Sequence, residues 1–451
     1  MLNIKEIVDA SQGVLLNGNE MTLVKSYKID SREVTKSDFF IPIVGEKVDS
    51  HKFLNIILKN KPCGFFLSDD YYNNNIEEIK DIIAKYDVCI VKVKDTLKAL
   101  YDIGKYNRSK HMDIKVVAVT GSVGKTSTKE MIADVLETKY NVLKTYKNFN
   151  GYIGLSLMLL QLENQDIAVL EHGIDCIGEM DYLADASKPN VSIITNIGMS
   201  HIEHFKNQDN IFKEKLSICK YTAEKIFVNK DDKYLTNITN NNKISFYSFN
   251  EIKNIKYFNG ETNYKIDIDN KKIHVKINDY GDHNIINSLV AIKIGIFFQI
   301  EMEEILKGIS NYRNFSRRFE LIKLDSGKTI IDDTYNASYD SFKSGIESLK
   351  KIKGEKILIL GDILETGDFS KEIHKNVGKL FKNSPSSFKE IITFGENSKN
   401  INEEASKFLK SSHYDKKEDI VKYVNSFNDK IIIYLKASNG MNFNEIIEKI
   451  T

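Results

Sequence analysis

The stretch Val116-Val-Ala-Val-Thr-Gly-Ser-Val-Gly-Lys-Thr-Ser-Thr-Lys129 decides the fold at the centre of this chain. Its first residues are mostly β-branched and predict a strand, and the segment from Ser127 to Tyr140 predicts a helix. A strand that enters a glycine turn and then a helix presents backbone N–H groups and the positive end of the helix to an anion. The stretch therefore predicts a loop that binds the phosphates of a nucleoside triphosphate.

Each residue type in this loop has a physical role in that prediction. Glycine lets the backbone approach an anion closely, the lysine supplies charge to the outer phosphates, and the threonine hydroxyl is an oxygen ligand for Mg²⁺. The first glycine of the usual eight-residue pattern would fall at Val119, so the match is to the shorter Thr-Gly-x-x-Gly-Lys-Thr. An ordinary turn that happens to contain glycines is the alternative, and the strand–helix context argues against it. The predicted nucleotide-binding loop comprises Gly121, Ser122, Val123, Gly124, Lys125, Thr126 and Ser127.

Length and composition set broad limits on the class of protein. A chain of 451 residues is too long for one core and indicates two to four domains. A net charge of +1 gives no electrostatic case for binding nucleic acid or a membrane surface. The four cysteines are scattered, which favours a reducing compartment over disulfides or a zinc site. No apolar run approaches the ~20 residues of a membrane span, so we expect a cytoplasmic enzyme without membrane insertion.

The pattern of apolar runs predicts an α/β fold in three domains. Residues 1–110 predict a small α/β domain, and residues 111–313 a central domain whose parallel sheet is covered on both faces. Residues 314–451 predict a second doubly wound α/β domain of dinucleotide-binding type. Within the central domain, period-two alternation from 255 to 277 predicts an antiparallel ribbon inserted before a helix that begins at Asn284.

Two further strands of the central domain end in residues that could carry chemistry. Glu171 ends the apolar run that begins at Ile167, and strand ends in a parallel sheet share one edge, so this carboxylate is predicted beside the phosphate loop as a Mg²⁺ ligand. A solvated acid at a strand end is the alternative. His201 follows another strand to the same edge. Its residue type alone favours a capping or core histidine, because Mg²⁺ prefers oxygen ligands.

Taken together, the motifs of the chain resemble those of the Mur ligases, the ATP-dependent amide-forming enzymes of peptidoglycan synthesis. The resemblance covers all three predicted domains, with the motifs in the same order as in the family. The matching stretches are Thr120–Lys129, Leu170-Glu-His-Gly with Gly178-Glu179, Thr195-Asn-Ile-Gly-x-x-His201-Ile-Glu203, Gly281-Asp-His-Asn284-Ile-Ile-Asn287, Arg318-Phe-Glu320, Ile331-Asp-Asp-Thr-Tyr-Asn-Ala337, Leu360-Gly-Asp-Ile-Leu-Glu-Thr-Gly367 and Lys436-Ala-Ser-Asn-Gly-Met441.

The resemblance implies a reaction and a set of small-molecule partners. The Asp-Asp-Thr-Tyr-Asn-Ala and Leu-Gly-Asp-x-Leu-Glu-x-Gly forms are similar to the branch that adds D-alanyl-D-alanine to a UDP-MurNAc-tripeptide. In that family ATP phosphorylates a carboxylate, and an amine then displaces phosphate from the acyl phosphate. Such catalysis consists mainly of positioning and charge neutralisation. The implied state is a monomer.

The resemblance also implies roles for individual residues in the ATP site. Lys125, His201, Lys215 and Arg318 are the implied catalytic residues, and Asn284, Arg318 and Asp333 join the loop in binding the nucleotide. Two Mg²⁺ ions are implied, one held by Thr126 and Glu171, the other by His201 and a carbamylated Lys215. Lys213 is the rival for the carbamylated position, and surface charge in a lysine-rich helix is the alternative for both lysines.

Other matches concern the acceptor substrate. The segment Asp30-Ser-Arg32 and the residues from Phe40 to Phe53 resemble the platform for the uridine nucleotide, although an Asp-Ser turn alone could explain the first of them. The amide-rich loop after the central domain's second strand matches the neighbourhood of the sugar phosphate. The implied substrate-binding residues are Ser31, Arg32, Gly45, Asp49, His51, Asn148 and Asn150.

Several positions depart from the family pattern and leave the substrate open. Val123 replaces an asparagine in the phosphate loop, Asp175 replaces an asparagine or serine, and His172 replaces a methionine. Tyr339 replaces a proline and Asn439 an arginine. None of these changes removes an implied ATP or metal ligand. A related ligase for another amine or acceptor, and a non-catalytic protein that binds a UDP-sugar, are therefore the alternatives.

Overall fold

The protein is an α/β molecule built around three sheets of mainly parallel strands, one from each third of the chain, so the predicted fold class is confirmed. The predicted boundary between 313 and 314 adjoins residues outside the described part and stays a prediction. The computed structural model describes residues 1–45, 48–239, 242–258, 261–279, 281–313, 316–427 and 430–450.

The N-terminal unit has a five-stranded sheet in the order β2–β7–β6–β5–β4, and β1 pairs with β3 beside it. Strand β5 ends at Phe40, two residues before Pro42, which has no N–H to donate to a strand ladder. Strands β1–β7 are Leu2–Asn3, Val14–Asn17, Leu23–Val24, Ser26–Lys28, Asp38–Phe40, Gly64–Ser68 and Cys89–Val93. Helices α1–α5 are Ile4–Ser11, Leu54–Ile57, Asp69–Asn74, Ile76–Lys85 and Thr96–Lys110.

The central unit has a six-stranded, wholly parallel sheet in the order β13–β12–β11–β8–β10–β9. Apolar clusters cover both of its faces, which explains why its strands are continuous apolar runs. Strands β8–β13 are Lys115–Thr120, Val142–Lys144, Ile167–Glu171, Val191–Ile194, Lys225–Asn229 and Ile244–Tyr247. Helices α6–α13 are Lys125–Leu136, Tyr152–Leu159, Glu179–Ser187, Ile202–Phe205, Gln208–Leu216, Ile218–Tyr221, Asp282–Phe297 and Met302–Asn311.

The predicted antiparallel ribbon is confirmed as a three-stranded sheet in the order β14–β15–β16. Asp269 and Asn270 turn the chain between the last two strands, both with positive φ, as two-residue hairpin turns require. The Asn259-Gly260 pair also predicts a turn, and it lies outside the described residues. Strands β14–β16 are Ile252–Phe258, Glu261–Ile268 and Lys271–Ile277.

The C-terminal unit has a six-stranded sheet in the order β17–β18–β22–β19–β20–β21, parallel except for the antiparallel edge strand β17. The edge strands β13, β17 and β21 were not predicted, because their alternating or polar residues lack the apolar signal of the central strands. Strands β17–β22 are Glu320–Lys323, Thr329–Asp333, Lys356–Gly361, Glu390–Phe394, Ser411–Tyr414 and Ile432–Lys436. Helices α14–α18 are Tyr339–Lys351, Ser370–Lys379, Lys399–Ala405, Lys417–Asn425 and Asn444–Ile447.

Apolar packing continues from one unit to the next. One core cluster contains Ile197 and Ile202 of the central unit together with Ala337 and Phe342 of the C-terminal unit. Leu157 of α7 packs in the core of the N-terminal unit. The central unit therefore packs against both neighbours. Within the described ranges, no helix is long and apolar enough to cross a membrane.

A buried arginine joins the N-terminal unit to the central one. Arg108 lies in α5 with only 1% of its surface exposed. Its Nε donates to the Ser187 carbonyl at 2.8 Å and its Nη1 to the Ile114 carbonyl at 3.0 Å. Further bonds go to the carbonyls of His111 and Lys188. Burial lowers the pKa of Arg108 to about 10. The guanidinium satisfies backbone acceptors that the domain junction would otherwise bury unpaired.

Replacing Arg108 with methionine should destabilise the protein, although methionine keeps much of the shape of the arginine side chain. We expect Arg108→Met to lower the free energy of unfolding by about 3 kcal/mol, because several buried carbonyls lose their donor. Urea unfolding followed by circular dichroism measures the change. Lys98→Met on the same helix is the matched control, because Lys98 is 68% exposed. Equal effects of the two substitutions would contradict the role given to Arg108.

Candidate active site

The predicted phosphate loop joins β8 to α6 in a conformation that requires glycine. Gly121 has a φ of +149°, and a Cβ at this position would lie 1.9 Å from Thr195 Oγ1. Gly124 has a φ of +85° and immediately precedes α6. The amide side chain of Asn196 fixes the tip of the loop, since it accepts from Val123 N at 2.9 Å and donates to Val123 O at 2.8 Å. Backbone and neighbouring side chains therefore hold the loop in one shape.

Two lysines point at the same backbone oxygen of this loop. Lys125 Nζ donates to Gly121 O at 2.8 Å, and Lys215 Nζ donates to it at 3.1 Å. Burial lowers the pKa of Lys125, although the nearby carboxylate of Glu171 opposes the shift. Burial also holds the pKa of Lys215 well below its ordinary value, and the charge of Lys125 adds to that effect. Lys215 is 4% exposed, whereas its rival Lys213 is exposed to solvent.

Oxygen ligands meet at the start of α6. Thr126 Oγ1 donates to Glu171 Oε2 at 2.9 Å, and Asn150 Nδ2 donates to Glu171 Oε1 at the same distance. The Glu171 backbone is held by a bond from its N–H to Thr145 Oγ1. A hydroxyl and a carboxylate are the hard oxygen donors that Mg²⁺ prefers, so Thr126 and Glu171 fit that ion. Within the described part of the chain, no group of three or more His, Cys, Asp and Glu side chains is arranged to hold a metal ion. An ion at this place would therefore also need other ligands, such as the Thr126 hydroxyl.

The C-terminal unit closes over this arrangement. Arg318 Nη2 donates to Thr126 Oγ1 at 3.0 Å. Its guanidinium lies 4.0 Å from the ring centroid of Tyr335, and its buried Nε has no hydrogen-bond partner among the described residues. Arg318 thus brings a positive charge from one unit onto the phosphate loop of another. An incompletely bonded guanidinium in this place is a ready donor for an anion.

A second contact between these units involves His201. Its Nδ1 lies 2.7 Å from Glu365 Oε2 of the C-terminal unit and 3.3 Å from Asp175 Oδ1 of the central unit. His201 and Glu365 both have a positive φ, +57° and +59°, which is strained for residues other than glycine. Burial lowers the pKa of His201, and the two carboxylates oppose that shift.

The remaining implied nucleotide residues lie in different surroundings. Asp333 ends β18, where Tyr434 Oη and Lys436 Nζ each donate to its Oδ2 at 2.7 Å. Asn284, in the first turn of α12, is fully buried and donates to Asp279 Oδ2 at 2.6 Å. Asp333 is thus partly exposed at the end of its strand, whereas Asn284 is enclosed within the central unit.

One cleft of about 750 Å³ collects most of the predicted residues. It opens where the carboxyl ends of both six-stranded sheets face each other, the usual ligand position in doubly wound folds. Gly121, Lys215 and Asn284 do not line it. The predicted residues that do are Ser122, Val123, Gly124, Lys125, Thr126, Ser127, Asn148, Asn150, Glu171, His201, Arg318 and Asp333.

The five predicted substrate residues of the N-terminal unit lie outside this cleft. Arg32 pairs with Asp30 at 2.5 Å and is 87% exposed, and next to it Ser31 is partly exposed. His51 is fully buried, with its Nδ1 bonded to Asp49 at 2.6 Å and its Nε2 accepting from Ser68 N at 3.1 Å. Both ring nitrogens of His51 are thus engaged within the protein, so its side chain shapes the loop that contains Gly45 and presents no free nitrogen.

Some residues of the site have no predicted role. Asn196 locks the loop tip, and its position directly after β11 at the common sheet edge was the available signal. Glu214 accepts from Gly178 N at 2.9 Å and Met180 N at 2.8 Å, and so fixes the segment after Asp175. Nothing in a lysine-rich helix distinguishes Glu214 from a surface acid.

Comparison with known proteins places this geometry in a family. The Mur ligase middle domain matches residues 119–295, and the Mur ligase, glutamate ligase domain matches residues 317–439. The UDP-N-acetylmuramoyl-tripeptide–D-alanyl-D-alanine ligase of Bacillus subtilis is 34% identical over 99% of this chain and 97% of its own length. Its counterpart in Buchnera aphidicola subsp. Baizongia pistaciae is 32% identical over 85% of this chain and 84% of its own.

The fold agrees with those sequences. The chain is similar in fold to a crystal structure of MurF from Acinetobacter baumannii, with a TM-score of 0.88 and 25% sequence identity. The superposition covers 100% of this chain and 98% of the MurF chain. The chain belongs to the Mur ligase family, and the predicted resemblance is confirmed.

The two loop glycines provide a test of this geometry. We expect Gly121→Ala to lower kcat/KM for ATP at least about 100-fold, because the new methyl collides with Thr195 and displaces the loop. Gly124→Ala is the matched control, with backbone strain but no atom nearer than 3.6 Å to its Cβ, and should lose only about tenfold. Steady-state kinetics with a thermal unfolding check separates the two. Equal losses would show that strain, not the Thr195 contact, governs the loop.

Proposed function

We propose that this chain joins D-alanyl-D-alanine to UDP-N-acetylmuramoyl-tripeptide, with ATP converted to ADP and phosphate. The names of the bacterial relatives that match almost the whole chain support this reaction. The observation that carries it is the closed site, where Arg318 of the C-terminal unit reaches Thr126 beside the phosphate loop at 3.0 Å. Residues from two units then surround one space, as joining a triphosphate, an acid and an amine requires.

The first step of the proposed reaction activates the acid. A carboxylate oxygen of the acceptor attacks the γ-phosphorus of ATP, the bond to the β-phosphate oxygen breaks, and ADP leaves with its electron pair. The charge on the transferred group must be neutralised while it moves. Lys125 of the central unit and Arg318 of the C-terminal unit both line the cleft and supply positive charge. ATP offers Lys125 a stronger acceptor than the neutral carbonyl that it now contacts.

The second step forms the amide. The deprotonated amine of the dipeptide attacks the acyl carbon, and phosphate leaves with the oxygen that came from the acceptor. Water must be kept from the acyl phosphate, because hydrolysis would waste it. The closed C-terminal unit provides walls such as Leu364 and Tyr339 that cover this side of the cleft.

Bound Mg²⁺ would neutralise charge on the phosphate oxygens. Thr126 and Glu171 would hold one ion, because they bring a hydroxyl and a carboxylate together at the cleft. His201 and a carbamylated Lys215 would hold the second. Asp333 would bind the ribose of ATP. Asn284, which is buried and does not line the cleft, would support the nucleotide site from within the central unit. Asn148 and Asn150 would contact the acceptor at the cleft, and Ser31, Arg32, Gly45, Asp49 and His51 would form or shape its uridine site.

The burial of Lys215 supports the proposed carbamylation. The neutral amine attacks the carbon of CO₂, loses a proton and becomes a carbamate anion. Only a neutral amine can react, and burial holds the pKa of Lys215 well below its ordinary range. The product is an oxygen donor in place of a cation, which suits Mg²⁺.

The lysine pair gives a direct test of this modification. Protein equilibrated with ¹³C-bicarbonate should show one carbamate carbon signal by NMR, absent in Lys215→Ala and present in Lys213→Ala. Activity should fall by at least about 100-fold in Lys215→Ala and recover partly with short carboxylic acids, which replace the lost oxygen ligand. A carbamate signal that survives in Lys215→Ala, or full activity of that variant without added acid, would contradict the proposal.

All residues of the proposed site come from one chain, so the reaction needs no second copy. We place the reaction in the cytoplasm, where ATP is available.

Phosphate release from ATP, measured with UDP-N-acetylmuramoyl-tripeptide and a panel of amines, tests the function. We expect release with D-alanyl-D-alanine and little with single amino acids. Release only with single amino acids would indicate a related ligase, and no release with any amine would indicate a non-catalytic binding protein.

A further inference from the structure

A carboxylate of the C-terminal unit reaches through the boundary into the central unit behind the cleft. Asp340, in the first turn of α14, accepts a hydrogen bond from Met199 N at 3.1 Å through its Oδ2. A Cβ on Gly198 would lie 2.1 Å from the same oxygen, so only glycine permits this approach. Asp340 does not line the cleft. Its contact therefore has no direct role in binding substrate.

The segment that Asp340 holds is bonded to the phosphate loop. Gly198 N donates to Ser122 Oγ at 2.8 Å, and Ser200 Oγ donates to Ser122 O at 3.3 Å. Ser122 N in turn donates to Asn196 O at 3.1 Å. Residues 196–200 thus contact the side chain, the carbonyl and the amide of Ser122. Any shift of this segment must be transmitted to Ser122.

The same segment has a second carboxylate anchor from its own unit. Asp232 Oδ2 accepts from Ile197 N at 2.9 Å, two residues before the amide that Asp340 binds. Asp232 and Lys343 are the charged groups that act on Asp340 most directly, and burial raises the pKa of Asp340. One anchor therefore comes from the central unit itself, whereas the other comes from the C-terminal unit.

We propose that Asp340 is a positioning residue that couples closure of the C-terminal unit to the shape of the phosphate loop. The inference rests on the proposed function and deepens it, because ATP is then held in reacting geometry only in the closed enzyme. If the C-terminal unit moved away, Met199 N would bond to water, and Asp232 would be the carboxylate that still anchors the segment. Closing adds the charge-assisted hydrogen bond from Met199 N to Asp340. This one bond favours the closed state and also orders Ser122, because residues 196–200 are bonded to Ser122.

Asp340→Ala should weaken closure without unfolding the protein. With the non-hydrolysable β,γ-imido analogue of ATP as the probe, small-angle X-ray scattering should show compaction of the natural protein. The variant should need about tenfold more analogue and show a kcat about tenfold lower. Its KM for D-alanyl-D-alanine should stay within about twofold, because Asp340 lies outside the cleft. Asp340→Asn should recover most of the activity, since its amide oxygen still accepts from Met199 N.

Glu347→Ala is the matched control, because this acid is 55% exposed on the same helix and pairs with Lys350 of that helix. The inference is overturned if Asp340→Ala behaves like this control. It is also overturned if Asp340→Asn is no more active than Asp340→Ala and the melting temperature of each variant falls in proportion to its activity. The carboxylate would then only stabilise α14. Should the natural protein compact with the analogue yet release no phosphate with D-alanyl-D-alanine, the proposed function fails while the coupling remains measurable.

Discussion

The carbonyl oxygen of Gly121 accepts hydrogen bonds from the buried Lys215 and the partly buried Lys125, and much of the site follows from this arrangement. Both amines contact one neutral acceptor, and the guanidinium of Arg318 lies beside the same loop. Burial disfavours the charged form of each amine, although nearby carboxylates such as Asp175 oppose this effect. A bound triphosphate would place negative charge beside Lys125 and Arg318, which both line the cleft. The loop is therefore organised for a polyanion.

The surrounding fold keeps that loop rigid while allowing the site to be completed from another unit. Gly121 fits against Thr195, and Asn196 bonds to both backbone groups of Val123, so the loop is fixed by the neighbouring strand. The contacts made by Arg318 and Glu365 come from the C-terminal unit instead. This division would have a chemical advantage if the C-terminal unit moved, because substrates would enter an open cleft and water would be excluded on closing.

Much of this organisation could be predicted from the chain. Glu171 was predicted beside the loop because parallel strands end at one edge, and the structure brings it within 2.9 Å of Thr126. The ribbon was predicted from its period-two alternation. Edge strands such as Ser411–Tyr414 were missed, since pairing with a neighbour and not apolar content makes them strands.

Side-chain environments were harder to predict than positions. Lys213 and Lys215 are two residues apart in a lysine-rich helix, and only tertiary packing buries one and exposes the other. The full burial of His51, with both ring nitrogens engaged, likewise depends on Ser68 of a different strand. Asp340 reads as an ordinary helix N-terminal acid, and its contact with Met199 exists only because two units meet. These features depend on contacts between distant segments, which local patterns do not encode.

The central claim is that one closed site first phosphorylates the acceptor carboxylate and then exchanges phosphate for an amine. The most direct measurement is the fate of ¹⁸O placed in both oxygens of that carboxylate during a single turnover with ATP and D-alanyl-D-alanine. We predict that one labelled oxygen appears in the released phosphate and one remains in the amide. Unlabelled phosphate, with amide formed at the same rate, would contradict the account.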